Sequence, residues 1–260
     1  MATPGRTSSR AGKPVRRAGP GRPRKAAGID GPPALGVDLI HAAALALIDA
    51  GGLDAFNIRD LAAALGVTPA AIYWHVPNRS ALVSGAMALA LSGVAADLPT
   101  GPWKTRLRAL FAHFRMALRS HPRLAPAVAS ELTYNTSVDA PMLEYVLDAL
   151  VAAGFAEGAL VDAYNVVMAA LCGFVTLELS TAPPDAEAGW EATCRAQIDA
   201  VDRHRFPTLG QHLPVLRNRA FMLRWASGKQ RPLDTGFEAW VDVFLRGLES
   251  RSRALRKPSR

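Results

Sequence analysis

The chain is predicted to be all-α, with a three-helix helix-turn-helix domain followed by a larger helical domain. Three features carry that prediction. From residue 37 onward, apolar residues recur at i, i+3, i+4 and i+7. Short capped segments crowd residues 57–78. Beyond Pro102 no stretch alternates apolar and polar side chains and no hairpin signal appears. Half of the 260 residues are apolar, enough to bury one large core or a small and a larger one.

In the first helix, 37–50, Ile40, Ala43, Ala44, Leu47 and Ile48 share a face, and Gly51-Gly52 supplies the stop. Asn57 offers a capping oxygen and Asp60 follows three residues later. Ile58, Leu61, Ala62 and Leu65 line one side of a short helix ending at Gly66. Thr68 is the next N-cap, and Pro69 suits a first helical position, where its missing N–H costs nothing. Ile72 and Val76 lie one turn apart and face inward, while Pro77-Asn78 closes this third helix after two turns. An alanine-rich fourth helix is expected from Arg79 to Ala96.

Further helices are expected at 103–120, 124–133, 139–153, 157–180, 188–204 and 234–252. They are divided by His121-Pro122, Gly154, Pro183-Pro184, Phe206-Pro207 and the polar segment 227–234. Segments 157–180 and 237–248 are apolar on more than one face, which predicts burial inside the domain or against a second subunit.

Composition excludes several classes. Cys172 and Cys194 make no disulfide framework, and no Cys/His spacing suits zinc, so neither metal nor cofactor is expected. No uninterrupted apolar run approaches the roughly 18–20 residues of a membrane span, and the basic N-terminus lacks a secretion signal's apolar segment. A soluble cytoplasmic protein without a membrane partner is expected.

Charge is unevenly placed. Residues 1–27 hold eight basic and no acidic residues, 251–260 add five basic ones, and 28–250 carry 17 basic against 22 acidic. A polycationic arm on an acidic body seeks a polyanion, because neutralising phosphates releases condensed counterions; a solubilising tail is the plainer alternative. Residues 1–34, rich in Gly, Pro and Ser, form this arm, and 253–260 a short basic tail. Within the arm, GPGRPRK (19–25) resembles an AT-hook. Arg22, Arg24 and Lys25 would lie along a narrow A·T minor groove.

The two short helices joined by Leu65-Gly66-Val67 form a helix-turn-helix pattern, with neighbouring helices bracing them. A helix that enters a major groove can give only a narrow face to the core. Pro69, Ala70, Tyr73 and Trp74 then project outward, with Ala71 and His75 on the flank. Small residues permit close approach to base edges, and the aromatic pair supplies apolar and phosphate contacts. Other readings stand beside this one. Trp74 could belong to the core, His75 could cap or pack, and Arg59 could be a solvated charge. Catalysis by His75 has no support, since neither a nucleophile nor a carboxylate pair recurs near it.

Residues 58–83, IRDLAAALGVTPAAIYWHVPNRSALV, with Gly51-Gly52-Leu53 before them, resemble the TetR family of bacterial transcriptional repressors. The YWHV form with its following Asn-Arg pair is most like the tetracycline-repressor branch, and Trp103 and Ser120-His121 are weaker echoes. The resemblance implies a DNA-binding domain at 35–97 and an effector-binding, dimerising domain at 98–252. It also implies a homodimer on a palindromic operator, released by a small molecule and nucleoid-associated when bound.

By position, the resemblance assigns Asn57 and Ile58 to backbone contacts, and Arg59 to a base or phosphate. Thr68, Pro69, Ala70, Ala71, Tyr73, Trp74 and His75 match the recognition helix, and Arg79 matches a phosphate-binding basic residue. Pro69, Ala70 and Ala71 replace more polar side chains of the tetracycline repressors, so a different operator is expected. Ala95 and Ala129 stand where those proteins carry drug–metal histidines, which argues against tetracycline with magnesium. Phe114, Tyr134, Tyr145, Tyr164, Asn165, Met168 and Cys172 mix apolar surface with polar tips, as effector pockets do; ordinary core packing explains them equally. An architectural DNA binder without an effector is the competing function; the arm favours it and the large apolar C-terminal domain opposes it.

Overall fold

A computed structural model describes residues 35–128, 139–180 and 186–256, together with Met1. The first helix, α1 (Val37–Gly51), buries Ile40, Ala44, Leu45 and Ile48, close to the expected face. It packs along α4 (Arg79–Leu91), which buries Leu82, Val83, Ala86, Met87 and Leu91. That helix stops five residues short of the expected end: Ser92 turns its hydroxyl back to the Leu89 carbonyl at 2.8 Å, and Gly93 follows. Between them lie α2 (Ile58–Leu65) and α3 (Pro69–Tyr73).

One close contact in the α1–α4 seam has a measurable consequence. The His41 ring lies over Gly85, where a Cβ would overlap the imidazole. Burial lowers the pKa of His41, with Asp38 pulling the other way. The fold therefore favours neutral imidazole. The stability this confers is present above the unfolded value of about 6.5 and is lost as pH falls below it. Urea melts near pH 7.5 and pH 5.5 should show a smaller acid-side loss for His41→Gln than for the parent protein.

The larger domain is built on α5 (Trp103–Ser120), α6 (Ala140–Ala153), α7 (Glu157–Leu179), α8 (Trp190–Asp199), α9 (Pro207–Leu216) and α10 (Asp234–Leu255). No strand occurs among the described residues. Where a helix is expected at 124–133, the described residues form a 3-10 helix over Pro122–Ala127 and Val128 is α-helical, with residues 129–133 outside the described part. Pro122 and Pro126 lack the N–H groups an α-helical ladder needs. Helix α9 is an addition to the expected list. Phe206-Pro207 reads as a break, yet Pro207 takes the first helical position, where it starts a helix. The helix expected at 188–204 is correspondingly shorter, ending at Asp199.

Helices α5 and α10 run antiparallel, as a ladder of charges shows. Lys104 pairs with Glu249 at 2.7 Å, Arg108 with Glu238 at 3.1 Å and with Asp242, and Arg115 with Asp234 at 2.8 Å. At the closed end of the ladder Glu178, fully buried on α7, receives both Arg115 Nε (2.8 Å) and Nη2 (2.6 Å). Leu233 N–H donates to the same carboxylate at 2.9 Å, and Gly228 N–H to the Glu178 carbonyl at 2.7 Å. One ion pair thus ties α5, α7 and the segment entering α10.

Among the described residues a hydrophobic core runs from Ile40 to Leu248 and is shared by both ends of the described chain. Two contacts join α1 directly to the turn after α5. His121 Nδ1 meets Asp49 at 2.7 Å, and Arg123 donates to the Ala50 carbonyl.

Helix α7 departs from one expectation. At 23 residues it is long and apolar enough to cross a membrane by length and composition alone. The strict apolar run is broken by Asp162, Asn165 and Glu178, which an average over the helix tolerates. Here α7 gives Ala163, Val167, Leu171, Val175 and Leu179 to the core and sets Glu178 in the ion pair above. Its opposite face leaves Val161, Val166 and Leu177 exposed.

Candidate nucleic-acid interface

The local chemistry of residues 51–79 explains how a five-residue helix is held rigid. Asn57 Oδ1 accepts from the N–H groups of Arg59 and Asp60, both at 3.0 Å, while its Nδ2 donates to Asp60 Oδ2 at 2.8 Å. This satisfies the orphan donors of α2 at its start, and the carboxylate at its third position favours the positive end of the helix. Gly66 ends α2 in the left-handed region (φ 66°), and Val67 N–H closes the turn on Ala62 at 3.0 Å. Thr68 Oγ1 then accepts from Ala71 N–H at 3.4 Å, Pro69 opens α3, and Trp74 forms its C-cap.

With the frame set, the inward and outward faces of α3 separate sharply. Ile72 is fully buried and Val76 nearly so. Tyr73 is 46 % exposed, Trp74 is 90 % exposed, and Pro69, Ala70 and His75 are also exposed. Ala71 is half-buried on the flank. The reading of Trp74 as a core residue is thereby excluded.

Arg59 is exposed at the start of α2, and Ile58 behind it is half-buried against the core. Arg79, exposed at the start of α4, also makes contacts within the domain. Its Nη2 donates to the Leu53 carbonyl at 2.5 Å and its Nε to the Phe56 carbonyl at 3.3 Å, with the guanidinium 5.8 Å from the Phe56 ring centre. It straps the α1–α2 loop beneath the recognition pair, a positioning duty that the basic-residue pattern does not reveal. Across residues 35–100, Arg59 and Arg79 stand against five Asp, so this domain carries little positive charge of its own. Arg22, Arg24 and Lys25 lie outside the described residues.

Among the described residues, the predicted effector residues sit in different surroundings. Phe114 is sealed in the core. Tyr145 donates its hydroxyl to the Pro99 carbonyl at 2.8 Å and lies 4.6 Å under the Arg106 guanidinium, tying α6 to the α4–α5 linker. Arg106 completes the clamp through Asp148 at 2.7 Å. Tyr164, Met168 and Cys172 form one half-buried stripe of α7, and Asn165 is exposed. Burial pushes the Cys172 thiol up to about 11, so it is protonated at neutral pH. Tyr134 and Ala129 lie outside the described residues. Sequence reasoning missed the aromatic cluster of Phe111, Phe174, Phe221, Phe237, Trp240 and Phe244, whose ring centres lie 5.0–5.9 Å apart in contacting pairs. Helical spacing in α10 hinted at half of it; Phe221 comes from a loop.

Comparison with known proteins agrees with this architecture. Residues 40–86 match the family model described as bacterial regulatory proteins, tetR family, and residues 95–250 match the tetracyclin repressor-like C-terminal domain. The chain belongs to the TetR family. It is therefore a TetR-family transcriptional regulator, with an N-terminal helix-turn-helix and a larger C-terminal helical domain. An HTH-type transcriptional regulator of Saccharopolyspora erythraea is 29 % identical over 184 residues, 70 % of this chain and 77 % of that one. The class A tetracycline repressor from transposon 1721 in Escherichia coli is 32 % identical over 176 residues, 62 % of this chain and 78 % of the repressor. Among solved structures, a putative transcriptional regulator from Streptomyces coelicolor A3(2) shares the fold at a TM-score of 0.61 with 23 % identity. The match covers 84 % of this chain and 98 % of that one. Tyr73, Trp74, Ile72 and Val76 all lie within the matched N-terminal segment.

Proposed function

We propose that the protein is a homodimeric repressor that binds a palindromic operator through α3 and leaves it when a small molecule binds the larger domain. The observation that carries this reading is the division of α3, with Ile72 and Val76 in the core and Trp74 almost wholly in solvent. Residues 35–97 would bind DNA, and 98–252 would dimerise and hold the effector. Pro69, Ala70, Ala71, Tyr73, Trp74 and His75 would face the major groove, with Thr68 at its entry. Asn57, Ile58 and Arg59 would meet the backbone at the start of α2, and the arm residues Arg22, Arg24 and Lys25 the minor groove. Footprinting with the full chain tests the reading: a repressor protects one palindrome, whereas protection spreading along the duplex would point to an architectural protein.

Dimerisation has its own support. Val161 and Val166 on α7 and Val243 on α10 are exposed, and a shallow concavity of about 320 Å³ lies between these helices, lined by Ala159, Val166, Phe244 and Leu248 among others. Pairing two copies there would cover this apolar surface and set two recognition helices about one DNA turn apart. Val166→Asp places a charge in that contact. It is expected to shift the protein to monomer in light scattering and to weaken operator binding while leaving the helical circular dichroism unchanged.

A further inference from the structure

Helices α2 and α3 are carried by α1 and α4, and polar bonds from the larger domain grip that pair of helices at two places. One grip is on the chain leading from α4 to α5, where the Tyr145 hydroxyl donates to the Pro99 carbonyl at 2.8 Å. The other is at the end of α1. There His121 Nδ1 donates to Asp49 Oδ2 at 2.7 Å, and Arg123 donates to the Ala50 carbonyl beside it.

Local physics does not account for Asp49. It stands in the last turn of α1, which holds no basic residue, and a carboxylate there faces the negative end of the helix. Its Oδ1 is shut from solvent without a partner among the described residues, which leaves Oδ2 on His121 as the side chain's hydrogen bond. The residue answers to a group 72 positions away. That group is itself held in place: His121 ends α5 with its N–H on the Leu118 carbonyl at 3.1 Å, and its own carbonyl accepts from Leu124 N–H at 3.0 Å. The two side chains are 26 % and 32 % exposed, so water competes for the bond less than at an open surface.

The 3-10 turn also packs against α1, and both lie in the shared hydrophobic core. Apolar contact is non-directional, whereas a hydrogen bond weakens steeply as its angle departs from linearity. With the linker held at Pro99, a directional bond at the end of α1 opposes rotation of the helix-turn-helix domain about that linker. We propose that the His121–Asp49 pair positions this domain on the larger one and thereby sets the half-site spacing that a dimer accepts. The inference rests on the reading of a homodimer on a palindromic operator. In a symmetric dimer the joint within each copy fixes the separation of the two α3 helices. One added base pair moves a half-site by about 3.4 Å and turns it by about 35°. A rigid joint rejects that change, and a loose joint follows it.

The test is anisotropy titration of the full chain with the palindrome recovered by footprinting, and with two versions carrying one base pair more or one fewer at its centre. The parent is expected to prefer the natural spacing by about tenfold or more. Asp49→Ala removes the bond and suits the end of a helix, so it should fold with unchanged helical circular dichroism. It is expected to shrink the spacing preference by about fivefold, with binding to a scrambled duplex unchanged. His121→Ala should do the same, and the double replacement no more than either, because the two side chains act as one unit. Either single variant decides the matter by itself. The proposal is overturned if these variants keep the parent's preference, or if they lose affinity equally for all three duplexes, which would make the pair a general support of the domain. Single effects that simply add in the double replacement would overturn it too. A parent indifferent to spacing overturns the operator reading together with this proposal; a discriminating parent with equally discriminating variants overturns this proposal alone.

Discussion

Replacing Tyr73 and Trp74 together by Ala is expected to cost about a hundredfold or more in operator affinity, since specific complexes exceed non-specific ones by roughly 10³–10⁷. Affinity for a scrambled duplex should fall far less, because that binding rests on phosphate neutralisation rather than on base edges. Anisotropy titrations of both duplexes, at two salt concentrations, separate the effects. The protein should stay folded with only a modest fall in melting temperature: Trp74 is 90 % exposed, and Tyr73, 46 % exposed, lies outside the buried core. A protein that unfolds instead, or that retains its preference for the operator, would refute the assignment of α3 as the reading head.

The second large effect lies far from DNA. Glu178→Ala is expected to destabilise the fold by about 3 kcal/mol, because it leaves the buried Arg115 guanidinium with the exposed Asp234 as its remaining partner and frees the Leu233 N–H at once. Denaturant unfolding measures the loss, and a double replacement by apolar residues, Arg115→Met with Glu178→Leu, should recover much of it. Burial alone would raise the Glu178 carboxyl, but the Arg115 hydrogen bonds, the Leu233 N–H and the nearby Arg119 outweigh it and hold the group below its ordinary value. The sign follows from that depression. The stability contributed by Glu178 is present above the unfolded carboxylate value of about 4.3 and is lost as pH falls through the lower, folded one. The parent should therefore lose stability on acidification more steeply than the double replacement.

How much of this was legible in the sequence depends on the range of the interactions involved. The recognition pair was almost wholly readable, because Asn57, Thr68, Pro69 and Gly66 act within one turn of themselves and the spacing of Ile72 and Val76 fixes the inward face. Helix α9 was missed because a proline that ends one helix and a proline that starts another look alike until the flanking backbone is known. Arg79 shows a different limit. A basic residue at a helix start suggests phosphate, while its bonds to carbonyls 23 and 26 residues earlier in the chain leave no mark in the local pattern. The same holds for Tyr145 and Glu178, whose partners are 46 and 63 residues away. Local pattern reports local caps well and long-range polar pairing poorly.

On the proposed function, the outward face of α3 has a consequence beyond one operator. Because Ala70, Tyr73 and Trp74 contribute almost nothing to the core, exchanging them leaves the scaffold's stability nearly untouched, and selection can act on binding alone. The helix is anchored from behind by Ile72, Val76 and the Arg79 strap, and its reading side is free to drift. A gene encoding such a chain can be duplicated and retuned to a new promoter by few substitutions, each viable on the way.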